Sequence, residues 1–77
     1  MMEHLIDPNE CWFIRDDTHL FTVITYSLEE GWWETVVLEK GHSGPLEIHR
    51  WDNHRQSITG HAVVWKRVTD KEKRAGW

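Results

Sequence analysis

The sequence contains one cysteine, Cys11, so no disulfide can form within the chain. A reducing, intracellular setting is the expectation that follows. It contains two prolines, Pro8 and Pro45, and both stand among turn-forming residues rather than inside an apolar run. No apolar stretch approaches the roughly 20 residues a membrane-crossing helix requires, which removes a spanning segment and a membrane partner from consideration. The opening Met-Met-Glu-His-Leu-Ile-Asp-Pro has neither a basic start nor a long apolar centre, so it does not read as a secretion signal and cytoplasmic residence is expected. Paired cysteines, a His-Glu-x-x-His pair, a nucleotide-binding signature and a nucleophile elbow are all missing. The expectation is therefore a non-enzymatic protein without a cofactor.

Present instead are six tryptophans in 77 residues. A chain this short forms one domain and buries only about 60–65% of the surface its unfolded form exposes. Dense aromatic packing is the device left to stabilise it once disulfides are excluded. Charge is unevenly placed. Residues 1–47 carry ten acidic and two basic groups, and residues 48–77 carry seven basic and three acidic, so a net −8 and a net +4 make up the overall −4. Such asymmetry can steer a charged partner, although solvated faces need charge in any case.

The run from Trp32 to Leu38 is the most strand-like stretch, and the chain is organised around it. Before it, residues 1–10 form a lead-in, residues 11–15 a first strand, residues 16–18 a turn and residues 20–26 a second strand. Gly31 is positioned to adopt positive φ in the turn that follows. The central strand, residues 32–39, leads to a Gly/Ser/Pro loop at 40–45 and a fourth strand at 46–51. The period then changes. Asp52 or Asn53 suits a helix N-cap, and Ile58, His61, Ala62, Trp65 and Val68 recur at helical spacing over residues 53–69. Gly60 inside this helix costs about 1 kcal/mol relative to alanine, which implies close approach of the helix to the sheet. Residues 70–77 read as a flexible charged tail. The expected fold is α+β: a three- or four-stranded antiparallel meander, residues 11–51, with one C-terminal helix on one face.

That arrangement leaves one face uncovered. Strand side chains alternate between faces, so Trp32, Val36 and Leu38 share one side with Glu34, and Trp33, Thr35 and Val37 share the other. In the second strand Phe21, Val23 and Thr25 oppose Leu20, Ile24 and Tyr26. Neither strand has a polar side, whereas a sheet wet on one face alternates polar and apolar residues. One helix covers one face. The other is covered by the N-terminal segment, a second copy in an isologous dimer or a host protein, or it stays open, since an antiparallel face tolerates Thr, Val and aromatic residues without function. Trp32, Trp33, Val36, Val37 and Leu38 are the candidate partner-binding residues, as Trp33 with Val37 or as Trp32 with Val36 and Leu38.

Other chemistries are weaker readings. Six histidines suggest zinc, and His49, Asp52 and His54, or His54 and His61, could share a site, but the spacing matches no standard pattern. His61 fits a core or rim histidine bonded to the sheet. Ser27, Ser43 and Ser57 lie in or near turns or the helix start without a partnering base, and Cys11 reads as a small apolar filler. Nucleic-acid binding would use Arg50, Arg55, Lys66, Arg67, Lys71, Lys73 and Arg74, but Arg55 and Lys66 do not form one phosphate-tracking stripe and the chain is acidic. An acidic surface imitating DNA fits residues 1–47 only loosely.

The run Trp33-Glu34-Thr35-Val36-Val37-Leu38, the Arg50-Trp51 step and Gly60-His61-Ala62-Val63-Val64-Trp65 together resemble a pattern in small uncharacterised proteins of actinobacteria and their phages. The match covers residues 32–65. It departs from that pattern at Gln56-Ser57-Ile58-Thr59, where those proteins carry a Glu/Ala-rich helix start, and at the Gly/Ser-rich loop 40–45, where theirs is acidic. The resemblance implies a strand–loop–strand–helix module in a phage or mobile-element accessory protein, and it transfers no catalytic residue.

Overall fold

A computed structural model describes residues 13–28 and 31–76. Four strands and one helix follow in chain order: β1 (Phe13–Asp17), β2 (Phe21–Ser27), β3 (Trp33–Glu39), β4 (Glu47–Trp51) and α1 (His54–Arg74). The strands form one antiparallel sheet in the order β1-β2-β3-β4, and α1 packs across one face of it. The expected α+β meander with a C-terminal helix is the architecture found, with four strands. The expected lead-in at 1–10, together with Cys11 and Trp12, lies outside the described residues.

Local chemistry sets the boundaries. β1 extends to Asp17, so Asp16 and Asp17 belong to the strand and not to the expected turn. They stay extended because Asp16 sits opposite Val23, and the Asp17 carboxylate accepts the Thr22 hydroxyl at 2.5 Å. The turn begins at Thr18, whose Oγ1 accepts the Leu20 and Phe21 N–H groups at 3.2 and 2.7 Å. Gly31 has φ +81°, the left-handed conformation expected of it in the β2–β3 connection. At the helix start Asn53 is the cap: its side chain accepts the Gln56 N–H at 2.9 Å, and Gln56 Oε1 reaches back to the Asp52 N–H at 3.1 Å.

Register assigns every side chain to a face. Opposite pairs are Val23 with Val37, Thr25 with Thr35, Thr35 with His49 and Trp33 with Trp51, and this set lies beneath the helix. The core is Phe21, Val23, Val37, Val64 and Val68, with Leu20 and Trp65 packed against it. Burying each of these apolar side chains contributes roughly 1.5–3 kcal/mol. Among the described residues the buried core holds five apolar groups, so contacts between polar groups of sheet and helix carry a correspondingly larger share of specificity.

The helix departs from expectation in two ways. It runs to Arg74 rather than ending at residue 69, so most of the expected tail is ordered. Lys71, Lys73 and Arg74 in the last turn face the negative end of the helix dipole, and Glu72 is buried where it accepts the Leu20 N–H at 2.7 Å. Its buried face is also rotated from the apolar stripe. Ser57, Gly60, His61, Val64, Val68 and Glu72 are buried, while Ile58 and Ala62 are exposed and Trp65 is half-buried. The reason is the sheet surface beneath. It presents the Thr25 hydroxyl, which His61 meets, and the Trp51 ring, against which the helix fits through Gly60.

Candidate functional site

The helix chooses between the two candidate faces. Val37 is 1% exposed in the core, and Trp33 is half-buried with its ring stacked 4.4 Å from that of His54. Trp33 and Val37 therefore pack beneath the helix and offer no partner surface. Val36 and Leu38 lie half-buried on the opposite face, and Trp32, just ahead of β3, is exposed. By register the same outer face carries Phe13 and Arg15 from β1, Ile24 and Tyr26 from β2, and Ile48 and Arg50 from β4. Phe13 and Ile48 are well exposed, at 63% and 55%. Among the described residues no element covers this face.

The carboxylates and hydroxyls on the outer face already have partners. Glu34 is buried and accepts the Tyr26 hydroxyl at 2.6 Å and the Arg50 Nε–H at 3.1 Å. Bonding to the Glu34 carboxylate, together with burial, pushes the Tyr26 phenol up to about 12. Asp17 accepts from both Thr22 and Arg15, and these hydrogen bonds hold its carboxyl below the ordinary range. The face thus combines apolar side chains from four strands with ion pairs whose charges cancel.

A second constellation lies between sheet and helix. Trp51 Nε1–H donates to Thr35 Oγ1 at 2.9 Å, Thr35 and Thr25 hydroxyls are 2.5 Å apart, Thr25 Oγ1 lies 2.6 Å from His61 Nδ1, and His61 Nε2 lies 2.8 Å from Asp16 Oδ2. The ends dictate the direction, because an indole N–H only donates and a carboxylate only accepts. Thr35 donates to Thr25, Thr25 donates to Nδ1, and His61 carries its proton on Nε2 for Asp16. This direction gives every member a partner. The order Asp–His–Thr is that of an activated nucleophile, but Thr25 is 0% exposed, so its hydroxyl cannot meet a substrate. The arrangement locks the helix onto the sheet. Sequence reading placed His61 on the sheet but not Thr25, Thr35 or Asp16, whose spacings from it in the chain leave no local signal.

No family model, curated protein or solved structure matches the chain.

The remaining candidates are dispersed. Among the described residues no group of three or more His, Cys, Asp or Glu is placed to hold a metal ion. His49 bonds Glu47 at 2.9 Å, His54 stacks on Trp33, and His61 belongs to the polar chain. Of the basic residues, Arg50 is engaged with Glu34, Lys66 with Asp70, and Arg67 with Glu47 through both guanidinium NH groups. The Arg67 bond, reinforced by His49, draws Glu47 down to about 2 against the opposing effect of burial. The acidic side chains Asp16, Glu34 and Glu47 are likewise committed within the chain rather than arrayed as a row of free carboxylates. Among the described residues no helix is long and apolar enough to cross a membrane.

Proposed function

We propose that this protein is a small non-enzymatic binding module that self-associates through the sheet face opposite the helix. The observation that carries this reading is the outer face itself, where Phe13, Ile48 and Trp32 are exposed beside the half-buried Ile24, Val36 and Leu38. Exposed apolar patches of this continuity mark association surfaces. Two further features favour a second copy as the occupant. Covering the face leaves no carboxylate or hydroxyl stranded, since Glu34, Asp17, Tyr26 and Thr22 already have partners. Arg15 with Asp17 and Arg50 with Glu34 make the face neutral, so two copies meet there without repulsion although the chain carries −4. The resemblance to small proteins of actinobacteria and their phages supports an accessory role, with the dimer as the working form.

The size of the surface indicates the strength. Four strands about 4.8 Å apart and six residues of about 3.3 Å rise make a face of roughly 19 by 20 Å. That projected area is about half the ~800 Å² a standard interface buries per partner, so the dimer is expected to be concentration-dependent, with a dissociation constant on the order of micromolar. Light scattering from 5 μM to 1 mM (a range set by this order of magnitude) should show monomer giving way to dimer, with Val36→Lys remaining a folded monomer throughout. A wild-type monomer at the top of the range would refute self-association and leave the face to another protein.

A further inference from the structure

We propose that the free edge of β4, together with the flank of α1 that overhangs it, receives an extended acidic peptide as a fifth strand. This surface follows the helix side of the sheet and meets the outer face only at Ile48. β4 is the last strand in the sheet order, so among the described residues one of its edges has no neighbouring strand. Such an edge presents main-chain N–H and C=O groups at the spacing a strand requires.

The helix gives this edge a wall. Gly60 lies against the Trp51 indole at the end of β4, and Arg67 bonds Glu47 at its beginning, so α1 runs back along the strand, antiparallel to it. Two adjoining grooves follow this line. The first, about 580 Å³, is lined by Trp51, Arg55, Gln56, Thr59, Gly60 and Val63. The second, about 320 Å³, shares Val63 and continues along Lys66, Arg67, Asp70 and Arg74. Their helix residues recur every three or four positions, which places them on one side of α1.

Charge selects the occupant. The two grooves contribute Arg55, Lys66, Arg67 and Arg74 against a single acid, Asp70. Lys66 is paired with Asp70 and Arg67 with Glu47, whereas Arg55 and Arg74 have no carboxylate partner among the described residues. At ~1.5 Å per residue these two arginines stand about 28 Å apart along the helix, a distance an extended segment of about nine residues spans. A peptide paired with β4 would turn alternate side chains toward the helix flank and the others toward Ile48, which is 55% exposed on the outer side. Alternating acidic and apolar residues meet both demands.

The test uses the whole chain and three labelled decapeptides: alternating Glu and Val, alternating Lys and Val, and the Glu–Val peptide with every second amide N-methylated. Fluorescence anisotropy should show saturable binding of the first alone. Arg55→Glu and Arg74→Glu, both at exposed positions, should each weaken it about tenfold. Amide shifts in a ¹⁵N spectrum should concentrate in residues 47–51 and 55–67. Failure of the Glu–Val peptide to bind at millimolar concentration would overturn the proposal. Undiminished binding of the N-methylated peptide would do the same, because it would reduce the contact to charge alone. Shifts confined to Val36, Leu38 and their neighbours would place the peptide on the outer face and equally refute it.

Discussion

At the scale of single residues, Thr25 is the joint on which sheet and helix depend. Its hydroxyl bridges Thr35 and His61, and all three side chains are buried. Thr25→Val preserves shape but strands two polar groups, the Thr35 hydroxyl and His61 Nδ1. Each unsatisfied buried group costs about 1–3 kcal/mol, so a loss of about 2–4 kcal/mol is expected in urea denaturation. A loss under about 0.5 kcal/mol would show that water replaces the bridge. Tyr26 offers a cleaner reading, as the sequence has one tyrosine. Its phenol is raised from 10.0 to about 12 by the bond to Glu34. A raised folded-state value means that the stabilisation is complete below pH 10 and fades as pH rises toward 12. Ultraviolet titration should therefore place phenolate formation near 12 in the wild type, and Glu34→Gln should bring it back toward 10. Ionisation of the wild-type phenol near 10 would mean the Glu34 contact is absent in solution.

At the scale of elements, the contact between α1 and β4 is set by a missing side chain. A Cβ on Gly60 would stand 2.4–2.7 Å from three atoms of the Trp51 ring, which the Thr35 hydrogen bond holds in place. Gly60→Ala gains about 1 kcal/mol of helix propensity, but overpacking a fixed ring costs about 1–3 kcal/mol. A net lowering of the thermal midpoint is expected, and a stabilised variant would show that the ring moves aside freely. The close approach at Gly60 was legible in the sequence, because a glycine in the middle of a helix carries a cost that only packing offsets. The strands were legible as well, from the β-branched and aromatic residues of 20–26 and 32–39. The face taken by the helix was not. Of the expected stripe, His61 and Val68 go inside while Ile58 and Ala62 stay outside, and Ser57 and Glu72, which no apolar stripe includes, are buried with them. The partners of His61 and Glu72, namely Asp16, Thr25 and Leu20, lie in β1, β2 and the turn between them, far back in the chain. Hydropathy rewards transfer out of water and cannot register a polar group whose partner is brought to it by the fold. The same blindness left Trp32 and Trp33 equivalent, although Trp33 goes beneath the helix and Trp32 toward solvent.

At the scale of the whole molecule, the two sides of the sheet have different characters. The outer side is apolar with self-cancelling charges, which suits contact with an identical surface. The helix side is closed by side-chain hydrogen bonds and ends in a cationic flank beyond β4. The two surfaces adjoin at Ile48, which both use. Val36 lies only on the apolar side and Arg55 only on the flank, so Val36→Lys should act on self-association and Arg55→Glu on peptide binding.

The strand order β1-β2-β3-β4 also bears on how the chain reaches this state. Every strand pairing joins neighbours along the chain, so each hairpin closes a short loop at small entropic cost. Glu72, by contrast, finds the Leu20 amide across 52 residues. That contact is expected to form after the folding barrier has been crossed. In a chevron measurement Glu72→Gln should leave the refolding arm nearly unchanged and accelerate the unfolding arm. The carboxylate at the end of the helix then serves as a latch on the lifetime of the native state, without influence on how quickly that state is found.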